Sequence, residues 1–185
     1  MPETTLPDTE AREVLGADGA VFDPLVHNPR NGVTGGVWRV RAGHRSAVLK
    51  VLTRGKAATG GWAASNEPRH WNYWRREAYV YESGLARAWQ PYGIRAPRLL
   101  ARVERLDGDI ALWLEDVPGE PATAWPLARH VEHARRLGAA QGAVRTGDHP
   151  WLTRRLLRPD KGRNTRGPER LVDDEARLAP REREH

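Results

Sequence analysis

The chain has no cysteine, one methionine and one phenylalanine. Without cysteine there is no disulfide, no thiolate zinc site and no cysteine nucleophile, so chemistry falls to carboxylates, Lys, Arg, His and backbone groups. Lysine is nearly missing as well, with only Lys50, Lys56 and Lys161 among 30 basic residues. Arginine at the other basic positions is what a GC-rich coding sequence imposes, and it reads as codon usage before it reads as recognition. No apolar run approaches the roughly 20 residues that span a bilayer. The start, Met1 to Glu10, is acidic and polar, unlike a secretory signal. A cytoplasmic protein with no membrane partner is expected. At 185 residues, 39% hydrophobic, with a mean hydropathy of -0.71, the chain has room for one core and an appendage, or is a fragment of something larger.

The net charge of +6 and a pI near 10.3 invite a nucleic-acid reading, because clustered cations gain affinity by releasing counterions. The distribution argues against it. Residues 1–30 carry 2 basic and 6 acidic groups, 31–150 carry 18 and 11, and 151–185 carry 10 and 7. No segment is a polybasic block. The eight tryptophans among arginines keep one alternative open, a non-catalytic basic module that binds nucleic acid or a protein partner.

Residues 1–25, rich in Pro, Glu and Asp, read as a loosely ordered lead-in with one helical turn near Ala11 to Leu15. Period-two patterning follows in Val37 to Arg41 and Ala47 to Leu52, separated by Ala42-Gly43-His44-Arg45, which predicts a hairpin. After a Gly-rich loop from Thr53 to Ser65, cap signals at Ser65, Asn66 and Pro68 predict a long helix. Its apolar stripe is Trp71, Trp74, Ala78, Tyr81, Leu85 and Trp89, at helical spacing. A second hairpin is expected from Arg98 to Val103 and Ile110 to Val117, turning at Leu106 to Asp109. Pro118 to Pro121 breaks the chain, and Leu127 to Val144 reads as a second amphipathic helix through Val131, Ala134, Leu137 and Gln141. Residues 158–185 are charged, contain prolines, lack aromatics and show no sustained period, so disorder is expected there.

Three polar features stand out against this background. Lys50 lies inside an apolar strand and points, with Val48 and Leu52, to one face of a sheet, where an ammonium needs a partner. At about 100° per residue, Glu77 lies about 80° from the centre of the helix stripe, and Glu82 lies about 60° off on the other flank as a competing carboxylate. Leu114-Glu115-Asp116-Val117-Pro118-Gly119 runs an apolar strand into acids and then breakers. His130 and His133 have an i,i+3 spacing that suits a metal, but no third ligand is evident, and solvated histidines are the simpler reading. Gly55-Lys56 lacks the other residues of a phosphate-binding P-loop. Trp62, in the Gly-rich loop, has no assigned place.

A strand lysine, a helix carboxylate and a strand-to-linker exit in this order resemble the small lobe of the protein-kinase-like fold. More narrowly, the chain resembles small-molecule kinases of the aminoglycoside phosphotransferase and choline kinase type. The residues carrying the resemblance are Gly35-Gly36-Val37-Trp38-Arg39-Val40 with Ala47-Val48-Leu49-Lys50, then Trp74-Arg75-Arg76-Glu77-Ala78, Leu112 to Val117, and Ala134 to Gly142. They span roughly residues 26–150.

The resemblance implies an α+β fold, with an antiparallel sheet and one long helix in a small lobe over 26–117. It further implies a linker and the first helices of an incomplete large lobe over 118–157. It implies ATP with Mg²⁺ as the nucleotide, Lys50 on its α- and β-phosphates held by Glu77, and the backbone of Glu115, Asp116 and Val117 on the adenine edge. The glycine segment from Asn31 to Gly36, including Gly35 and Gly36, would cover the phosphates. The acceptor is an unidentified small molecule. The family's His-x-Asp-x-x-x-x-Asn loop has no counterpart. The nearest segment, Arg158 to Asn164, has Arg in place of His and spaces Asp160 from Asn164 by four rather than five. The expectation is therefore a truncated kinase, inactive by itself, with self-association through an uncovered lobe face.

Overall fold

The computed structural model describes residues 8–58, 62–120, 122–143 and 149–153. The Arg158 to Asn164 segment and the charged tail lie outside the described residues. Five antiparallel strands form one sheet in the order β1-β2-β3-β5-β4, comprising β1 (Val21–Pro24), β2 (Thr34–Ala42), β3 (Arg45–Leu52), β4 (Leu99–Glu104) and β5 (Ile110–Glu115). The helices are α1 (Asp8–Leu15), α2 (Arg76–Glu82) and α3 (Leu127–Ala143), with 3₁₀ turns at Leu85–Arg87, Gln90–Tyr92 and Ala122–Ala124. The mixed α+β class and both expected hairpins are present. Ala42 pairs with Arg45 across a tight turn in which Gly43 takes φ +58°, a conformation that glycine alone adopts without strain.

β5 is buried from Ile110 to Leu114 because both sides of the sheet are covered, so its sequence is a continuous apolar run. On one side, Leu49, Val51, Ala111 and Trp113 pack with Ala11 and Leu15 of α1. On the other, Leu52, Ile110, Leu112 and Leu114 pack with Tyr73, Trp74 and Ala78, and with Trp151 from far along the chain.

Three expectations need correction. Residues 8–25 are not a loose lead-in, since they supply α1 and the edge strand β1. Glu10, 6% exposed, meets Arg105 of the β4–β5 turn at 2.7 Å and ties α1 to the sheet.

The long helix from Ser65 is a seven-residue α2 beginning at Arg76. The Arg76 side chain takes carbonyls a helix would use, those of Pro68, His70 and Trp71, and further side-chain bonds hold the segment in another shape. Asn72 Nδ2 donates to the carbonyls of Trp62 and Ala63 at 2.8 and 3.0 Å, and Trp74 Nε1 donates to Asn66 Oδ1 at 3.0 Å. Ser65 and Tyr73 form a parallel bridge instead. After Glu82, Gly84 at φ +77° ends the helix and the chain proceeds in 3₁₀ turns.

The third correction concerns α3, which runs Leu127–Ala143, with Val144 outside the described residues, but buries a different side. Ala140 is its buried residue, whereas Val131 is 60% exposed. At roughly 100° per residue the two lie half a turn apart.

Candidate functional site: a lysine–glutamate clamp on the sheet face

Lys50 stands in the middle strand, paired across to Val37 of β2 and Leu112 of β5. Directly paired residues share a face. Its side chain therefore faces α2, and Nζ donates to Glu77 Oε2 at 2.5 Å. Both side chains keep solvent access, at 25% and 35% of their surface. Glu82, the competing carboxylate, is taken up by Arg102 of β4, with Oε1 2.5 Å from Nε. Tyr81 lines a cavity with Glu77, and burial together with the nearby Glu77 charge raises the Tyr81 pKa, keeping it a neutral phenol.

The segment expected to cover phosphates is built differently. Gly35 and Gly36 belong to β2, with a register shift between Thr34 and Gly36, and the Trp38 ring lies over Gly36. A Cβ on Gly36 would sit 2.0 Å from Trp38 Cη2. Gly32 remains in the β1–β2 connection, but its N–H donates to the Trp62 carbonyl at 2.9 Å. That contact also places Trp62, whose ring meets Trp71 edge-on at 5.3 Å. Lys56 folds back, donating to the Thr34 carbonyl at 3.0 Å.

At the strand exit, the acidic side chains are engaged within the protein. Glu115 accepts from Arg95 at 2.6 Å and from the Arg98 backbone N–H at 3.1 Å. The Arg98 N–H and then Arg95 hold its carboxyl below the usual range. Asp116 accepts from Arg39 Nε at 3.0 and 3.2 Å. Both carboxylates are therefore held by cations of the protein itself. Val117, just beyond, is 41% exposed. Ala47 pairs with Glu115 and Lys50 with Leu112, so Lys50 lies three residues along β3 from the exit, roughly 10 Å.

Two residues that sequence reasoning missed brace this arrangement. Arg76, immediately before Glu77, donates to the carbonyls of Trp71, His70, Pro68 and Trp151 at 2.6, 2.5, 3.2 and 2.9 Å. It fixes the start of α2, and with it the direction of Glu77. Arg39 is one residue of a strand pattern in the sequence, and its reach to Asp116 depends on a register that sequence does not display. Beside Glu77 a cavity of about 470 Å³ is walled by Val80, Leu85, Trp89, Ile94 and Leu152.

Among the described residues, no third metal-ligating side chain joins His130 and His133. Both pack on the Trp125 ring, with centroids at 5.6 Å, and Arg129 lies over the same ring at 4.2 Å. Among the described residues no three metal-ligating side chains converge, so no Mg²⁺ ligand set can be assigned there. Also among the described residues, no helix is long and apolar enough to cross a membrane. No protein-family model, no curated protein and no solved structure matches this chain, so the reading of its function rests on the residues themselves.

Proposed function

We propose that the chain carries the nucleotide-clamping lobe of an ATP-dependent small-molecule phosphotransferase of the aminoglycoside phosphotransferase type. The observation that carries this reading is the contact between Lys50 of β3 and Glu77 of α2, 27 residues apart in sequence. An antiparallel sheet with a helix between two hairpins supports it, as does the strand exit one β5 length away. A cation held by a carboxylate is already oriented when an anion arrives, so it neutralises phosphate charge without reorganising. Lys50 binds the α- and β-phosphates, Glu77 positions it, and backbone groups from Glu115 to Val117 take the base edge. The bound nucleotide supplies the transferable phosphoryl group. The metal ion enters with the triphosphate, and no step is assigned to it on residues of this chain. The described arginines do not favour a nucleic-acid surface, because Arg39, Arg41, Arg95, Arg102, Arg105 and Arg136 are each paired with a carboxylate.

The test is calorimetric titration of the full chain with MgATP and MgGTP. Wild type binds at least one of them. Lys50→Ala removes binding, and Glu77→Gln weakens it at least tenfold while leaving the thermal midpoint within a few degrees. Binding unaffected by Lys50→Ala overturns the clamp. Steeply salt-dependent binding of duplex or single strands that survives Lys50→Ala would identify the basic module instead.

A further inference from the structure

The face that carries Lys50 carries a second cation. Arg39 pairs with Val48, two residues before Lys50 on the same strand, and Val37 on the same side of β2 pairs with Lys50 itself. The alternation of strand side chains therefore puts Arg39 and Lys50 on one face. Arg39 does not hang free. Its Nε binds both oxygens of Asp116, which holds the guanidinium at the strand exit. Asp116 is 15% exposed and Arg39 37%, so the carboxylate is the covered end of the pair and the guanidinium the open one. Asp23, directly opposite Arg39 on β1, is bonded to Arg41. Among the described residues, the two terminal nitrogens of Arg39 donate to no protein group.

We propose that Arg39 reads the base of the nucleotide and biases the site toward guanine. The proposal rests on the clamp reading, which places the phosphates at Lys50 and the base at the strand exit, where Asp116 holds Arg39. A guanidinium presents donors only. The acceptor oxygens beside it, those of Asp116, already receive Nε. An edge with two adjacent acceptors suits such a site, and guanine offers O6 and N7. Adenine offers N7 beside an exocyclic amine, whose N–H faces the cation donor to donor.

The experiment is a binding series on the full chain with MgGTP, MgATP and MgITP, read as dissociation constants. GTP is expected to bind roughly tenfold more tightly than ATP, the size of one good two-point base contact. ITP, which keeps O6 and N7 but lacks the 2-amino group, is expected to bind as GTP does, and this comparison needs no variant. Arg39→Ala brings the GTP-to-ATP ratio to near one. Arg39→Gln turns it toward ATP, because an amide matches the donor and acceptor of adenine. Glu77→Gln weakens both nucleotides in proportion and leaves the ratio unchanged. A purely structural Arg39–Asp116 pair would alter stability and leave the ratio where it was. Equal binding of GTP and ATP to wild type, or a ratio unmoved by Arg39→Ala, overturns the base assignment and leaves the clamp standing. Absence of binding by all three nucleotides overturns the clamp and the base assignment together.

Discussion

Replacing Glu10 by Gln tests whether α1 is part of the fold or an ornament on it. Glu10 is 6% exposed, and the Arg105 side chain it meets at 2.7 Å is 11% exposed. Removing the carboxylate leaves a guanidinium out of water without its counter-charge, a change that costs about 3–5 kcal/mol. For a chain of this length about 1 kcal/mol moves the thermal midpoint by roughly 2–4 °C, so the expected drop is roughly 6–20 °C. Arg12–Asp18, on and just after the same helix, is a control of the same chemistry at 61% and 75% exposure. Breaking that pair should cost about 0–1 kcal/mol. The double variant Glu10→Leu with Arg105→Met completes the reasoning. Glu10 Oε1 and Arg105 Nε are both buried without a hydrogen-bond partner, so the native pair does not satisfy all the atoms it buries. Two apolar chains of similar size should then return stability to within about 1 kcal/mol of wild type or above it. The assay is thermal and urea unfolding followed by tryptophan fluorescence, to which the fully buried Trp113 contributes. A single variant that loses no more than the Arg12 control refutes the claim that α1 is locked to the sheet.

Arg76→Ala uncovers four carbonyls that the guanidinium now holds and should cost about 3 kcal/mol, the scale of hydrogen bonds to a charged donor. Limited proteolysis should then cut more readily within residues 66–74, and Arg76→Lys should recover little, because an ammonium cannot reproduce the fork. Gly36→Ala brings a methyl group within 2.0 Å of the Trp38 ring and should lower stability by about 1–3 kcal/mol. Gly35→Ala, whose nearest contact would be Val51 Cγ1 at 3.3 Å, is expected to be milder, and thermal melts of the two compare them. Hydrogen bonds from Arg135 and Arg136 lower Glu132 from 4.5 to about 2. A carboxyl with a depressed folded-state pKa stabilises above its unfolded value, and that contribution is lost as pH falls through the folded one. The helical circular-dichroism signal of α3 should therefore weaken between about pH 4.5 and pH 2, and Glu132→Gln should flatten that dependence.

The Lys50–Glu77 contact is legible in the sequence because each half obeys a local period. Alternation along β3 put Lys50 with Val48 and Leu52, and helical angles set Glu77 beside the apolar stripe, even though the helix itself is far shorter than its spacing predicted. The choice between Glu77 and Glu82 was not legible. It was made by Arg102, whose position across β4 and β5 is a matter of register. The order of residues 8–25 is hidden in the sequence for a similar reason. α1 is eight residues long and β1 four, too short to announce themselves, and they persist through partners elsewhere, such as Arg105 for Glu10 and Leu15's carbonyl for Arg45. Propensity is a weak guide where tertiary contacts decide. The residues from Ser65 to Arg75 show the converse failure. Their aromatic spacing is helical, but Asn72 and Arg76 satisfy the local carbonyls by side chain, and the backbone follows those bonds.

The placement of Lys50 is itself an argument about function. Its neighbours across the sheet are Val37 and Leu112, and its neighbours along the strand on the same face are Val48 and Leu52. An apolar side chain there would join that core and gain about 1.5–3 kcal/mol from burial. The Lys50–Glu77 pair, with both side chains partly open to water, contributes about 0–1 kcal/mol. A lysine at this point is therefore less stabilising than a leucine, and the same holds for a carboxylate facing the cavity walled by Val80, Leu85 and Trp89. Sequences that forgo stability at one position of an otherwise consistent core do so where a site needs it. The contrast with Glu10 and Arg105 sharpens the point. That pair is sealed and joins two elements, whereas the Lys50–Glu77 pair stays open to water, with 25% and 35% of its side-chain surfaces exposed.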